Sequence, residues 1–238
     1  MKLSGWLYRH PRSRLAILIA APMAWLVLAY LGSLTTMFLS AFWSVDSFTG
    51  KVIKNFSLAN FQTLFTQSVY ARLALRSLSV ALIVTLIDAL LAIPIAFFMA
   101  KVLPPKLRSF AVVLVVLPLW ASYLVKTYAW RTMFSNEGVI DWLLKPLGIA
   151  SPGYGLFATS LTLAYLWLPY MILPIYAGLE RLPDSLLEAS SDLGATAWQT
   201  FRSIVTPIIY PAIIAGSIFT FSLSLGDYIV VKIVGGKT

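Results

Sequence analysis

The chain has 238 residues, 59% of them hydrophobic and only 11% charged, with 18 Lys and Arg against 9 Asp and Glu. Soluble domains are roughly 45–50% apolar and about 25% charged, so this composition excludes an ordinary soluble globule and indicates a membrane protein. The formal charge of +9 suits loops that face anionic lipid headgroups, and the lack of cysteine together with a single histidine, His10, leaves no disulfide, no thiolate metal site and no credible Ser-His-Asp triad.

A helix that crosses the bilayer needs about 20 mostly apolar residues. The first such run is Leu15 to Leu39, preceded by Lys2, Arg9, Arg12 and Arg14. A signal-peptide core is only about 7–15 residues long, so this longer run, with no small-x-small site after it, reads as a retained anchor. The second run is Ser77 to Ala100, interrupted only by Asp88. The third is Phe110 to Val125, the fourth Leu156 to Leu179 and the fifth Ile208 to Leu225. These runs are continuous rather than alternating, and only helices or closed barrels satisfy the backbone in lipid, so the chain is predicted to be an all-α integral membrane protein. Pro94, Pro118, Pro169, Pro174 and Pro211 fall inside the spans. Each removes a helical donor; this is ordinary span kinking, and it also suits a pathway whose helices bend and move.

Orientation rests on the short segments. With the N-terminus inside, Lys and Arg divide evenly between the two sides over the whole chain. The first 14 residues carry four basic side chains, however, and Lys101 to Ser109 carries three without an acid. Charges in short loops near span ends set topology, which places the N-terminus and the loop between the fourth and fifth spans in the cytosol.

That loop, about 180–207, is the most informative part of the chain. Pro183 suits a helix start, and Asp184 and Glu188 lie toward the N-terminal end, where the helix dipole favours acids. Leu186, Leu187, Ser190 and Leu193 recur at helical spacing on one face. Gly194 supplies a left-handed stop. Thr196 and Gln199 fit a capping box that opens a second short helix, Trp198, Phe201 and Val205 line one side of it, and Pro207 closes the segment. The prediction is helix, tight turn, helix. An amphipathic helix lying on lipid is the competing interpretation, but four acids against two basic residues over Glu180 to Arg202 argue against it, because lipid-surface helices are usually basic. The segment reads as a protein-docking surface.

Glu188-Ala189-Ser190, followed by Gly194 and Pro207, resembles the EAA signature of ABC-importer permeases. Ser190 stands where the family has a second alanine, and Thr206-Pro207 where Leu-Pro is usual. Further stretches resemble the spermidine/putrescine permeases of that family: Leu117 to Trp130, Asn136 to Ile140, Trp167 to Tyr176, and Gly226-Asp227-Tyr228 with Val234-Gly235-Gly236. The resemblance covers roughly Asn55 to Gly236. It implies a type I ABC-importer permease-like helical bundle forming a single transmembrane permease domain over 1–238, with five spans visible and a sixth expected beyond Gly236. It also implies a coupling helix seated in a cleft of a separate ATPase. Glu188, Ala189, Ser190, Asp192, Gly194 and Pro207 would be the coupling residues. The implied partners are a second permease, two ATPase copies, an extracytoplasmic binding protein and membrane lipid. ATP and magnesium would belong to the ATPase; the closing Gly235-Gly236-Lys237-Thr238 lacks the preceding glycine of a phosphate loop, since position 231 is Val231, and no helix follows it.

Four residues are candidates for a substrate pathway. Asp88 lies mid-span, where a carboxylate costs ~2.5–3.5 kcal/mol on insertion scales and marks function by default; a hydrogen bond to Thr85 or a neighbouring helix is the structural alternative. Asp227 ends the fifth span, either on the pathway or in a solvated turn. Trp120 and Tyr123 suit an aromatic passage for cations or plain interfacial anchoring. Lys126 would repel a polyamine and suits headgroups or an acid on a partner. Two other function classes stay open on the residues alone: an ion-coupled secondary transporter or channel for a small cationic solute, favoured only by Asp88, and a membrane-embedded enzyme, disfavoured by the lack of clustered catalytic groups. Polyamines, other small amines, amino-acid derivatives and iron complexes all remain candidate cargoes.

Overall fold

A computed structural model describes residues 11–46 and 49–236. Lys2, Arg9 and His10 of the basic tail, and the closing Lys237-Thr238, lie outside the described residues. Cα packing divides the chain into two units, residues 1–73 and 74–238.

In the first unit, α1 (Pro11–Leu26) runs through a π-helical turn at Val27–Leu31 into α2 (Gly32–Ser40). The stretch Leu18–Ser40 is long and apolar enough to cross a membrane, and none of its most apolar window is buried within the chain. That is the expected state of a span whose solvent is lipid rather than water. A two-residue antiparallel ladder follows, β1 (Ser44–Val45) with β2 (Val52–Ile53), pairing Ser44 with Ile53. The short helix α3 (Ala59–Thr66) is tied to the end of α2 by Asn60, whose Nδ2 donates to the carbonyls of Ala41 and Trp43, both at 2.9 Å. Phe42 packs against Phe56 and Phe61 at ring-centroid distances of 5.6 and 5.2 Å.

The long helix α4 (Ser68–Phe97) begins at the close of the first unit and ends in a π-helical turn, Phe98–Val102. The remaining elements are α5 (Pro105–Trp120), α6 (Tyr123–Met133), α7 (Val139–Leu144) with a 3-10 turn at Lys145–Leu147, α8 (Leu156–Glu180), α9 (Asp184–Asp192), α10 (Ala197–Thr200), a π-helical turn at Phe201–Val205, α11 (Thr206–Leu225) and α12 (Ile229–Val234). Among the described residues, four helices are long and apolar enough to cross a membrane, or five if the bent pair α5–α6 counts as one.

That pair departs from the sequence expectation. The apolar run 110–125 is not one helix: it breaks at Ala121–Ser122, and α5 and α6 meet at 89°. Ala121 and Ser122 adopt extended backbone, with ψ of 140° and 133°. Pro118, three residues upstream, already deprives the last turn of α5 of a donor, so little is lost by ending the helix there.

The core centres on α8, the most buried of the spans. Lipid tails are as apolar as leucine, so helices associate through close van der Waals fit and small residues rather than through the hydrophobic effect. The sequence supplies that fit. Ala92, Ala96 and Ala100, four apart on α4 and its π turn, are fully buried and pack with Met171, Ile175 and Leu179 of α8 and Ile209 of α11. At the α8–α11 seam, a Cβ on Gly216 would stand 2.7 Å from Met171 Sδ and 3.2 Å from Met171 Cα, so any side chain there must push Met171 aside and crowd the α8 backbone. A second cluster joins Val84, Phe134, Leu163, Leu166, Val230 and Val234.

Candidate functional site

The predicted elbow forms. Pro183 is the residue before α9 rather than its first residue, and α9 runs from Asp184 to Asp192. Gly194 follows with φ 75°, a left-handed conformation that L side chains resist. Thr196 then caps α10: its Oγ1 accepts from the Gln199 N–H, and Gln199 Oε1 accepts from the Thr196 N–H at 2.7 Å. Both halves of a capping box are present, which satisfies two donors that a four-residue helix would otherwise leave unpaired.

The two departures from the EAA pattern each make a bond. Ser190 is buried, and its Oγ lies 2.7 Å from Thr200 Oγ1, so the hydroxyl in place of alanine ties α9 to α10 across the turn. Thr206 Oγ1 donates to the Phe201 carbonyl at 2.9 Å, closing the π-helical turn just before Pro207. Glu188, Ala189, Asp192, Gly194 and Pro207 are exposed. Leu193 is 88% exposed and Trp198 67% exposed, with Trp198 stacked on Phe201 at 5.9 Å. The expected single apolar face of Leu186, Leu187, Ser190 and Leu193 is therefore split. Ser190 faces inward, whereas Leu193, past the last helical residue, projects outward. The elbow thus presents acids and bare apolar side chains on a frame held by the capping box and the Ser190–Thr200 bond. It is fixed to the end of α4 by Lys101, whose Nζ donates to the Leu182 carbonyl and to Asp184 Oδ1, each at 2.6 Å. The bond from Lys101 and its positive charge, aided by Arg108, hold the Asp184 carboxyl below its usual range.

The pathway candidates fall into three places. Asp227 precedes α12, and its Oδ1 accepts from the Val230 N–H at 2.9 Å while its Oδ2 accepts from Tyr123 OH at 2.5 Å. Tyr123 stacks on Trp167 at 6.1 Å, and Trp167 meets Tyr170 at 5.9 Å. These groups border a cavity of about 460 Å³ lined by Tyr123, Trp167, Leu223, Gly226, Asp227, Tyr228 and Ile229. Lys232 Nζ already sits over the Tyr228 ring at 5.5 Å. Sequence reasoning paired Tyr123 with Asp227 only as candidates and missed Trp167 and Tyr228. Trp167 sits in an apolar run where an aromatic signals nothing beyond core, and the adjacency of Tyr228 to Asp227 was the one available clue. Trp120 is not brought to this cluster. It lies on the other side of the break, 88% exposed, beside an apolar groove with Val112, Val113, Val116 and Leu117.

Asp88 is fully buried inside the bundle, and neither carboxylate oxygen has a protein hydrogen-bond partner. The bond to Thr85 does not form, since Thr85 Oγ1 donates to Ala81 of its own helix. The Trp167 indole N–H and the Thr220 and Ser224 hydroxyls are likewise buried without a protein partner. Asp88 is on α4, Trp167 on α8, and Thr220 and Ser224 on α11, so the buried polar groups without a protein partner come from three of the spans. Among the described residues, no three His, Cys, Asp or Glu side chains gather as a metal site.

Comparison with known proteins gives the family. Residues 69–238 match the family described as binding-protein-dependent transport system inner membrane component. The chain is 43% identical to the inner membrane ABC transporter permease protein YdcU of Escherichia coli (strain K12), over 98% of this chain and 79% of that protein. It is 36% identical to the spermidine/putrescine transport system permease protein PotB of Haemophilus influenzae, over 76% of this chain and 64% of that protein. A crystal structure of a bacterial ABC transporter involved in the import of the acidic polysaccharide alginate superimposes with a TM-score of 0.61 at 19% identity, covering 94% of this chain and 77% of that one, which shows the shared fold. The helical bundle, the capped elbow and these matches together make the chain a member of the binding-protein-dependent ABC-importer permeases: a multi-pass inner-membrane transport subunit that works with other permease, ATPase and binding-protein subunits and leaves ATP hydrolysis to a separate chain.

Proposed function

We propose that this permease imports a small organic polycation, with polyamines of the spermidine/putrescine type as its cargo, as in the PotB relatives. In this reading the whole chain acts as one permease domain beside a second permease and two ATPase copies that hold ATP and magnesium. The N-terminus and the elbow lie in the cytosol. Glu188, Ala189, Ser190, Asp192, Gly194 and Pro207 form or frame the surface gripped by the ATPase. The observation that carries this reading is the capped, left-handed turn between α9 and α10, which presents Leu193 and Trp198 bare on a frame that cannot flex freely.

The cargo reading is supported by the cavity beside Asp227. An ammonium group binds where aromatic faces and a carboxylate converge, and Tyr123, Trp167, Tyr228 and Asp227 supply both. Tyr228 already accepts one ammonium, that of Lys232, for which a cargo would compete. Asp88 offers a second acid deeper in the bundle. Trp120, facing an apolar groove, suits lipid or a partner helix better than cargo. The test is ATP hydrolysis by the reconstituted complex with its binding protein loaded in turn with spermidine, putrescine, an amino acid and an anion. Stimulation by the polyamines alone is expected; stimulation by the anion and not by spermidine would overturn the cargo assignment.

A further inference from the structure

We propose that Lys101 is the positioning residue through which the elbow drives α4. The proposal rests on the docking role of the elbow given above. Lys101 stands in the π-helical turn that ends the second span, and its side chain is only 7% exposed. A lysine removed from water to that degree needs its charge met. Two acceptors meet it, the Leu182 carbonyl and Asp184 Oδ1, both at 2.6 Å and both charge-assisted. Those acceptors flank Pro183, on the link between α8 and the first residue of α9. Asp184 makes no side-chain cap for its own helix; its carboxylate is given to Lys101 instead.

The surroundings make this a stiff connection. Leu182 is 2% exposed and belongs to the apolar cluster that contains Met99, Ala100, Leu179 and Val205. The ammonium is thus held between two acceptors, one backbone carbonyl of a packed residue and one solvent-facing carboxylate, while its own side chain is largely removed from water. A displacement of α9 is passed directly to the end of α4. Asp88 lies 13 residues before Lys101, roughly 20 Å at the helical rise and on the far side of Pro94, so the tie reaches the helix that carries the buried acid. The tie joins residues 83 positions apart in sequence and couples the surface that receives force to the helix that carries an intramembrane acid.

The test uses the complete complex in liposomes and reads cargo transported per ATP hydrolysed. Lys101→Met keeps the apolar stem and removes both bonds. The ATPase is expected to remain bound and active while cargo per ATP falls about tenfold, the loss expected when charge-assisted bonds are removed from a coupled pair. Lys101→Arg restores a donor and a charge and is expected to recover most of the ratio. Asp184→Asn, at a side chain 65% exposed, keeps the carbonyl bond and is expected to lower the ratio about two- to threefold. An unchanged ratio in Asp184→Asn, or in an assembled Lys101→Met complex, overturns the proposal. So does a Lys101→Met complex that folds but loses its ATPase, because the residue would then serve assembly. A thiol placed at Ala189 separates the two readings: if it cross-links to the ATPase in each of these variants, the docking reading stands whatever becomes of Lys101.

Discussion

Gly194 offers the sharpest test of the elbow, because its effect can be isolated from packing. Its φ is 75°, and no atom beyond its immediate chain neighbours lies within 4 Å of the place a Cβ would take. A substitution there meets no steric neighbour, so its whole cost is conformational. The left-handed region costs an L residue roughly 1–2 kcal/mol, and each 1.4 kcal/mol is about a factor of ten in population. Gly194→Ala should therefore depopulate the bent geometry by roughly 5–30-fold. Gly194→Val, β-branched, should cost more, and Gly194→Asn, which tolerates this region, less. Uptake into liposomes by the reconstituted complex, normalised to ATPase bound, should fall in the order Gly, Asn, Ala, Val. Equal uptake by Val and Gly would refute the claim that the bend matters. Equal loss in Asn and Val would show that the surface near position 194, not its backbone, is what the partner reads.

Three further outcomes follow from the geometry. Gly216→Val forces a side chain against Met171, and overpacking of this kind costs about 1–3 kcal/mol, so the melting temperature in detergent should drop clearly; an unchanged value would mean the α8–α11 seam is looser than described. The Asp184 carboxyl is held below its usual value of 3.8 by Lys101, so it contributes stability above that value and loses it as the pH falls through the lowered folded value. The difference in thermal stability between wild type and Asp184→Asn should be present at neutral pH and vanish in strong acid; a gap that widens in acid contradicts the tie. Asp227→Asn keeps the shape and one accepting oxygen but removes the second acceptor and the charge beside the aromatic cavity. Half-maximal uptake of a cationic cargo should then require about tenfold more loaded binding protein, in line with the loss of one charge-assisted contact, with basal ATP hydrolysis unchanged; an unaltered requirement removes Asp227 from the pathway.

What could be read from the sequence was local. The capping box of Thr196 and Gln199 and the left-handed stop at Gly194 depend on residues three or four apart, and both stand where the spacing put them. Pro183 fell one residue outside its helix, within the usual uncertainty of helix ends. The break at Ala121–Ser122 was hidden because a run of apolar residues looks the same whether or not the helix axis turns, and Pro118 signals a kink without fixing its size. The exposure of Leu193 was missed because helical spacing was carried one residue past the end of α9. Lys101, Trp167 and the bond from Ser190 to Thr200 were not legible at all as working parts. Lys101 meets its partners across 81 and 83 residues, Trp167 gains meaning only beside Tyr123, and Ser190 looked like a departure until the turn brought Thr200 to it.

The chain has no cysteine of its own, so one introduced thiol reports unambiguously. Ala189→Cys places it on the exposed side of α9. With the full complex in sealed vesicles of known orientation, that thiol should cross-link to the ATPase subunit, change its cross-linking yield on ATP binding, and react with impermeant reagents only from the cytosolic side. Labelling from the external side, or an assembled and active complex in which position 189 never meets the ATPase, would contradict the account.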